Sequence, residues 1–123
     1  MITNALVVDD DPVSRAVLSH LLSRHGYDVH EADAPESARA HVAETEFEVV
    51  FSDFHMPGES GLDLFRSLHQ LGDRAKFVLV SGVVELPSAN LAELGVDAVL
   101  PKPVMTRAVA ECLDRLGLPL VER

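Results

Sequence analysis

The chain is short of cysteine, of basic side chains and of long apolar runs, and each shortage excludes something. A single cysteine, Cys112, has no partner for an internal disulfide. Ten basic against twenty acidic side chains give a formal charge of -10. The surface field therefore repels phosphate backbones and anionic lipid, and direct nucleic-acid binding by this domain is not expected. No stretch approaches the roughly 20 apolar residues of a membrane-spanning helix, and none has the layout of a signal peptide. A soluble, cytoplasmic chain in a reducing compartment, without membrane contact, is the expectation. Linkers, repeats and low-complexity segments are missing as well, so residues 1–123 read as a single domain with a loose tail over 117–123. That length supports one core without disulfides or structural metal. Of the six histidines, His20, His25, His30, His41 and His69 lack zinc-type ligand spacing and read as solvated.

What is present is a rhythm: short apolar runs alternate with helical patterns of ten to fifteen residues, as in βαβ units with a parallel sheet. The first strand runs from Ala5 to Val8. Asp11 then caps a helix that Pro12 opens, with Val13, Ala16, Val17 and Leu21 at helical spacing and His25-Gly26 as its end. Asp28 to Ala32 carries few apolar residues and reads as an edge strand. A helix from Pro35 to about Glu44 turns Ala38 and Val42 inward. The third strand ends at Asp53, and Gly61 to Gln70 is helical with Leu62, Phe65 and Leu68 apolar. Phe77 to Val80 has no polar alternation, as a central strand covered on both faces should not. A short helix from Pro87 to Gly95, a strand from Val96 to Leu100 and a helix from Met105 to Leu116 complete the pattern. Cys112, in register with Val109 and Leu113, reads as a small buried hydrophobe.

Chemistry collects where strands stop. Asp9-Asp10-Asp11 ends the first strand, Asp53 the third, Ser81-Gly82 the fourth, and Lys102-Pro103 follows the fifth. In a parallel sheet these tips share the carboxyl edge, where open α/β folds bind ligands. Carboxylates, a hydroxyl and an ammonium converging there suit Mg²⁺ and a phosphoryl group. Asp11 is used as a cap; Asp9 and Asp10 have no capping role and are costly at a strand end unless paired. Plainer alternatives are a buried structural pairing for the acidic pair, a turn role for Ser81 and a solvated loop for Lys102.

Asp9 and Asp10, Asp53 with Met56-Pro57 and Gly61, Ser81-Gly82 and Lys102-Pro103, in that order, resemble the receiver domain of two-component response regulators over Ala5 to Leu116. The resemblance implies an α/β fold: a doubly wound five-stranded parallel sheet with helices on both faces, in the flavodoxin-like order 2-1-3-4-5. It implies Asp53 as phosphoacceptor, served by Ser81 and Lys102. Mg²⁺ would be held by Asp10 and Asp53 directly, by Asp9 through a coordinated water and by the backbone carbonyl of His55. Gly82 would leave room for the phosphoryl group to enter. The implied donor is a phosphohistidine on a histidine kinase or histidine phosphotransfer domain, and the output an unknown protein or domain. A cis Lys102-Pro103 peptide, tuning of phosphoryl loss by His55 and Val83, and a signalling face from Pro87–Leu94, Ala98–Leu100 and Met105–Leu116 follow from the same resemblance.

Two departures stand out. Many receivers carry an inward-turning aromatic three residues before the lysine, and here that place is Val99, a stiff β-branched residue with no hydroxyl. After Lys102 there is one helix and a tail, with no output motif. A free-standing regulator, a relay carrier and a piece of a larger regulator or hybrid kinase all fit, and Met1 opening directly onto the first strand points to a natural N-terminus. Two rival functions are a small Mg²⁺-dependent aspartyl-phosphate phosphohydrolase and a degenerate receiver acting as a phosphorylation-independent binding module. The first needs an aspartate two residues after the nucleophile, where His55 stands, and a cap domain. The second would have lost an acidic, nucleophilic or lysine position, and none is lost.

Overall fold

In the computed structural model of the chain, residues 3–82 and 95–118 are described. The elements are β1 (Asn4–Val8), α1 (Pro12–Arg24), β2 (Asp28–Ala32), α2 (Pro35–Glu44), β3 (Val49–Asp53), α3 (Gly61–Gln70), β4 (Lys76–Ser81), β5 (Ala98–Pro101) and α4 (Thr106–Arg115). Residues 87–94 of the sequence-predicted helix that Gly95 ends, Val83 and that part of the expected signalling face lie outside the described residues.

All strand pairings are parallel, and the order is β2-β1-β3-β4-β5. Alternation along each central strand sends its side chains to opposite faces. Ala5, Val7, Val49, Phe51, Val78 and Val80 meet Leu18, Leu21 and Leu22 of α1 and Val109, Cys112 and Leu113 of α4. Leu6, Val8, Val50, Phe77 and Leu79 meet Ala38 of α2 and Leu64 and Leu68 of α3. Two cores thus sandwich one sheet, which is why the central runs read as continuous apolar stretches. Each fully buried leucine contributes about 2 kcal/mol, and Leu22, Leu64, Leu68 and Leu113 are all in that state. Cys112 is a buried core residue whose thiol burial pushes its pKa up.

The caps follow the side chains. Asp11 accepts from the Val13 amide at 3.2 Å and from the Ser14 hydroxyl at 2.8 Å, and Pro12 follows as the first helical residue. Those bonds hold the Asp11 carboxyl below its usual range. Ser60 and Asp63 cap α3 reciprocally, each side chain bonding the other's amide at 3.1 Å. Helix α1 corrects one expectation: it buries Leu18, Leu21 and Leu22, while Val13 and Val17 are 70% and 47% exposed. Val13 and Val17 instead line a cavity at the carboxyl edge with Asp9, Lys102 and Val80 of β4.

Candidate functional site

The carboxyl edge is built first by β1 and β3. Val8 is level with Ser52 in the parallel register, so Asp9 and Asp53 emerge side by side. From β1 the chain goes outward to β2, then back across to β3, and this reversal is the crevice where open α/β sheets take ligands. Asp9 and Asp53 are buried, Asp10 is exposed, and one carboxylate oxygen from each lies within 4.8 Å of the others. Asp9 is tightly held: its amide donates to the Ala32 carbonyl at 3.1 Å, its Oδ1 accepts from the Asp11 amide at 2.9 Å, and its own carbonyl accepts from Arg15 Nη1 at 2.8 Å.

The cation comes from the other side of the sheet. Lys102 follows β5, and its amide donates to the Ser81 carbonyl at 2.9 Å. Its ammonium stands 2.8 Å from Asp53 Oδ1 and 3.7 Å from Asp9 Oδ2. The Lys102-Pro103 peptide is cis, as the resemblance implies. One ammonium against three carboxylates leaves the cluster short of positive charge. Asp9 shows it: burial raises its carboxyl above the usual range, the Asp11 amide and Lys102 oppose the rise, and the Asp53 and Asp10 charges add to it.

Asp53 Oδ1 is fully buried and meets the Lys102 ammonium at 2.8 Å, with no second donor on it. A buried carboxylate oxygen neutralised by one ammonium alone, beside two more hard oxygen donors, fits Mg²⁺, which prefers carboxylates and retains several waters. Among the described residues no other cluster of three such groups occurs. His30 and His41 instead meet edge to face at 5.8 Å, and His30 packs on Phe47, consistent with ordinary half-buried rings.

The remaining sequence-predicted residues fall around this centre. Ser81 is buried at the tip of β4, one residue past the Val80 that pairs with Asp53, and its hydroxyl donates to the Gly82 carbonyl at 2.9 Å. The His55 ring is exposed, two residues beyond Asp53. Val99 is half-buried against the α2–α3 core, so no mobile aromatic occupies that place. Gly61 starts α3 directly against Asp53, with its amide bonded to the Phe54 carbonyl at 2.7 Å.

Sequence reasoning missed three features. Arg15 reaches both Asp9 and Glu31, whose Oε1 accepts from Nε at 2.9 Å. Arg39 of α2 grips Glu59 in the loop after β3 at 2.8 and 3.3 Å. A cavity of 390 Å³ opens from the acidic pocket between α1 and the segment after β5, lined by Val13, Val17, Leu18, Pro103 and Val104 beside Asp9 and Lys102. The two arginine contacts join distant segments and leave no local signal. The cavity left only an ambiguous one, Val13 and Val17 at the same helical spacing as the core residue Leu21.

The model of the response regulator receiver domain family matches residues 5–114. Sensory/regulatory protein RpfC of Xanthomonas campestris pv. campestris is 33% identical over 118 residues, which are 92% of this chain and 16% of that protein. Transcriptional regulatory protein AruR of Pseudomonas aeruginosa is 35% identical over 112 residues, 87% of this chain and 46% of the relative. The chain therefore spans less than half the length of either. Among solved structures, a response regulator receiver protein from Pseudomonas putida aligns with a TM-score of 0.76 at 30% identity, covering 94% of this chain and 98% of the other. A CheY-like receiver domain from Methylobacillus flagellatus aligns at 0.84 with 26% identity, covering 94% and 99%. The receiver domain of sensor histidine kinase PA1611 from Pseudomonas aeruginosa, solved with a magnesium ion coordinated in its active site cleft, shares the fold at 0.81 with 20% identity, covering 94% and 97%.

Proposed function

We propose, because this chain belongs to the response regulator receiver domain family, that it accepts a phosphoryl group on Asp53 from a partner phosphohistidine and thereby switches a protein-binding face. The observation that carries this reading is the pocket itself: a buried Asp53, two further carboxylates within 4.8 Å, and the Lys102 ammonium 2.8 Å from Asp53 Oδ1.

Asp10 and Asp53 would ligate Mg²⁺, Asp9 would act through water, and the His55 carbonyl would complete the protein's share. When bound, the ion supplies positive charge against a phosphoryl oxygen. The chain does the rest. An Asp53 carboxylate oxygen attacks phosphorus, the P–N bond to the donor imidazole breaks as the O–P bond forms, and an acyl phosphate remains on Asp53. Lys102 leaves its contact with the carboxylate and neutralises a phosphoryl oxygen, and the Ser81 hydroxyl turns from the Gly82 carbonyl to another. Gly82, lacking a side chain, leaves the entrance open. On this reading the chain is no enzyme toward outside substrates; it catalyses only its own phosphorylation and dephosphorylation.

The apolar cavity beside the pocket supports a protein donor, since exposed Val13 and Val17, which line it, give a histidine kinase or phosphotransfer domain something to cover. The phosphohydrolase alternative lacks its acid/base, because exposed His55 stands where a second aspartate is needed. Mass spectrometry after incubation with acetyl phosphate and Mg²⁺ tests the proposal. One phosphoryl adduct in the wild type and none in Asp53→Asn is the expected result. An unlabelled wild type would turn the reading to a phosphorylation-independent binding module, and labelling that survives in Asp53→Asn would misplace the acceptor.

A further inference from the structure

We infer that Arg15 is the positioning residue of the acidic pocket, setting the peptide plane from which both Asp9 and Asp10 project; this rests on the metal-binding reading above. The ladder between β1 and β2 makes its last bond at the Asp9 amide, which donates to Ala32 at 3.1 Å. One atom group later the chain leaves the sheet. The Asp9 carbonyl accepts instead from Arg15 Nη1 at 2.8 Å, across from the first turn of α1. The other edge of the same guanidinium is held by Glu31 of β2, at 2.9 Å from Nε. A planar fork with two anchored edges has little freedom, so it fixes the carbonyl it touches. That carbonyl belongs to the peptide joining Asp9 to Asp10. Rotating the plane would swing the two carboxylates apart.

The electrostatic alternative predicts the opposite sign. Arg15 is a cation near an anionic pocket, so on charge alone its loss should strengthen Mg²⁺ binding. If Arg15 positions the ligands, its loss weakens binding, and outer partners of metal ligands typically account for about 10–100-fold in affinity.

Calorimetric titration of the full chain with MgCl₂ decides, using wild type, Arg15→Ala, Arg15→Lys and Glu31→Gln, with urea midpoints recorded for each. Arg15→Ala should raise the Mg²⁺ Kd at least about tenfold. Arg15→Lys, which keeps the charge but not the fork, should recover only part of that loss, and Glu31→Gln should shift Kd less, in the same direction. In metal-free protein the Asp9 and Asp10 amide resonances should move in Arg15→Ala while those of β4 stay. Unchanged or tighter Mg²⁺ binding in Arg15→Ala overturns the inference. Should Arg15→Ala not fold, a wild-type Kd in Arg15→Lys overturns it equally. A wild type that shows no saturable Mg²⁺ binding removes the metal reading itself, and the inference with it.

Discussion

Gly61→Ala should destabilise this protein, although helix propensity alone favours alanine over glycine by up to about 1 kcal/mol. The reason is where the new methyl would go. A Cβ on Gly61 falls inside contact distance of the Asp53 main-chain carbonyl oxygen, and reaches Leu79 Cδ2 and Ser52 Oγ at 3.0 Å. None of these gives way cheaply: the carbonyl is backbone and already accepts from Ser52 Oγ at 3.0 Å, and Leu79 is fully buried. Overpacking of this kind costs about 1–3 kcal/mol. For 123 residues, an unfolding entropy of about 2.1 cal/mol/K per residue converts each kcal/mol into about 4 °C, so Tm should fall by about 4–12 °C. Labelling by acetyl phosphate should slow too, because the displaced carbonyl belongs to the proposed acceptor. Gly58→Ala is the control. At φ +83 with nothing within 4 Å of its Cβ, it carries only the left-handed backbone cost of about 1–2 kcal/mol, and labelling should be unchanged. Differential scanning calorimetry with a labelling time course reads both variants. A Gly61→Ala protein as stable as wild type would show that the start of α3 does not press on Asp53.

Burial pushes the Tyr27 phenol up to about 12, so its folded pKa lies above its unfolded one. Its contribution to stability is therefore complete below pH 10, and about 2–3 kcal/mol is lost as pH rises toward 12. Tyr27→Phe should flatten that alkaline decline in urea midpoints; an identical slope in both proteins would contradict it. Mg²⁺ at a hundred times its Kd should stabilise the wild type by about 2.7 kcal/mol, and thermal scans of Asp10→Asn should lose most of this; an equal rise would remove Asp10 from the ligand set. Val17→Asp should leave labelling by acetyl phosphate intact and slow transfer from a phosphohistidine partner about tenfold. Equal slowing with both donors would place the defect in the pocket rather than at the docking face.

Strands were legible because burial on both faces writes itself as uninterrupted apolar runs, and β2 was legible for the opposite reason, its exposure at the edge. The boundaries of β2, α2 and α3 agree with their expectation, β1 shifts by a residue at its start, β4 and α4 by a residue at each end, and β5 by two residues at its start and one at its end. The site was legible because each of its members punctuates a strand, and a parallel sheet gathers strand ends. The buried face of α1 was not. Helical spacing alone cannot tell a residue above the sheet from one past its edge, so Val13 and Val17 looked like core and Leu18 and Leu22 supplied it. Contacts such as Arg15 to Asp9 and Arg39 to Glu59 join segments through tertiary geometry, and no local pattern announces them.

On the proposed metal-binding reading, the bridge that Lys102 makes between Asp53 and Asp9 would also bear on which ions the pocket admits. A tethered ammonium is always at hand, whereas Na⁺ and K⁺ must be drawn from solution to do the same work with the same single charge. Monovalent salt therefore gains nothing by entering. A divalent ion brings twice the charge to the same oxygens, and the lysine's stem lets its head swing aside rather than unfold anything. On the metal-binding reading the resident side chain would thus act as a valence filter, favouring a divalent ion over the abundant monovalent salts.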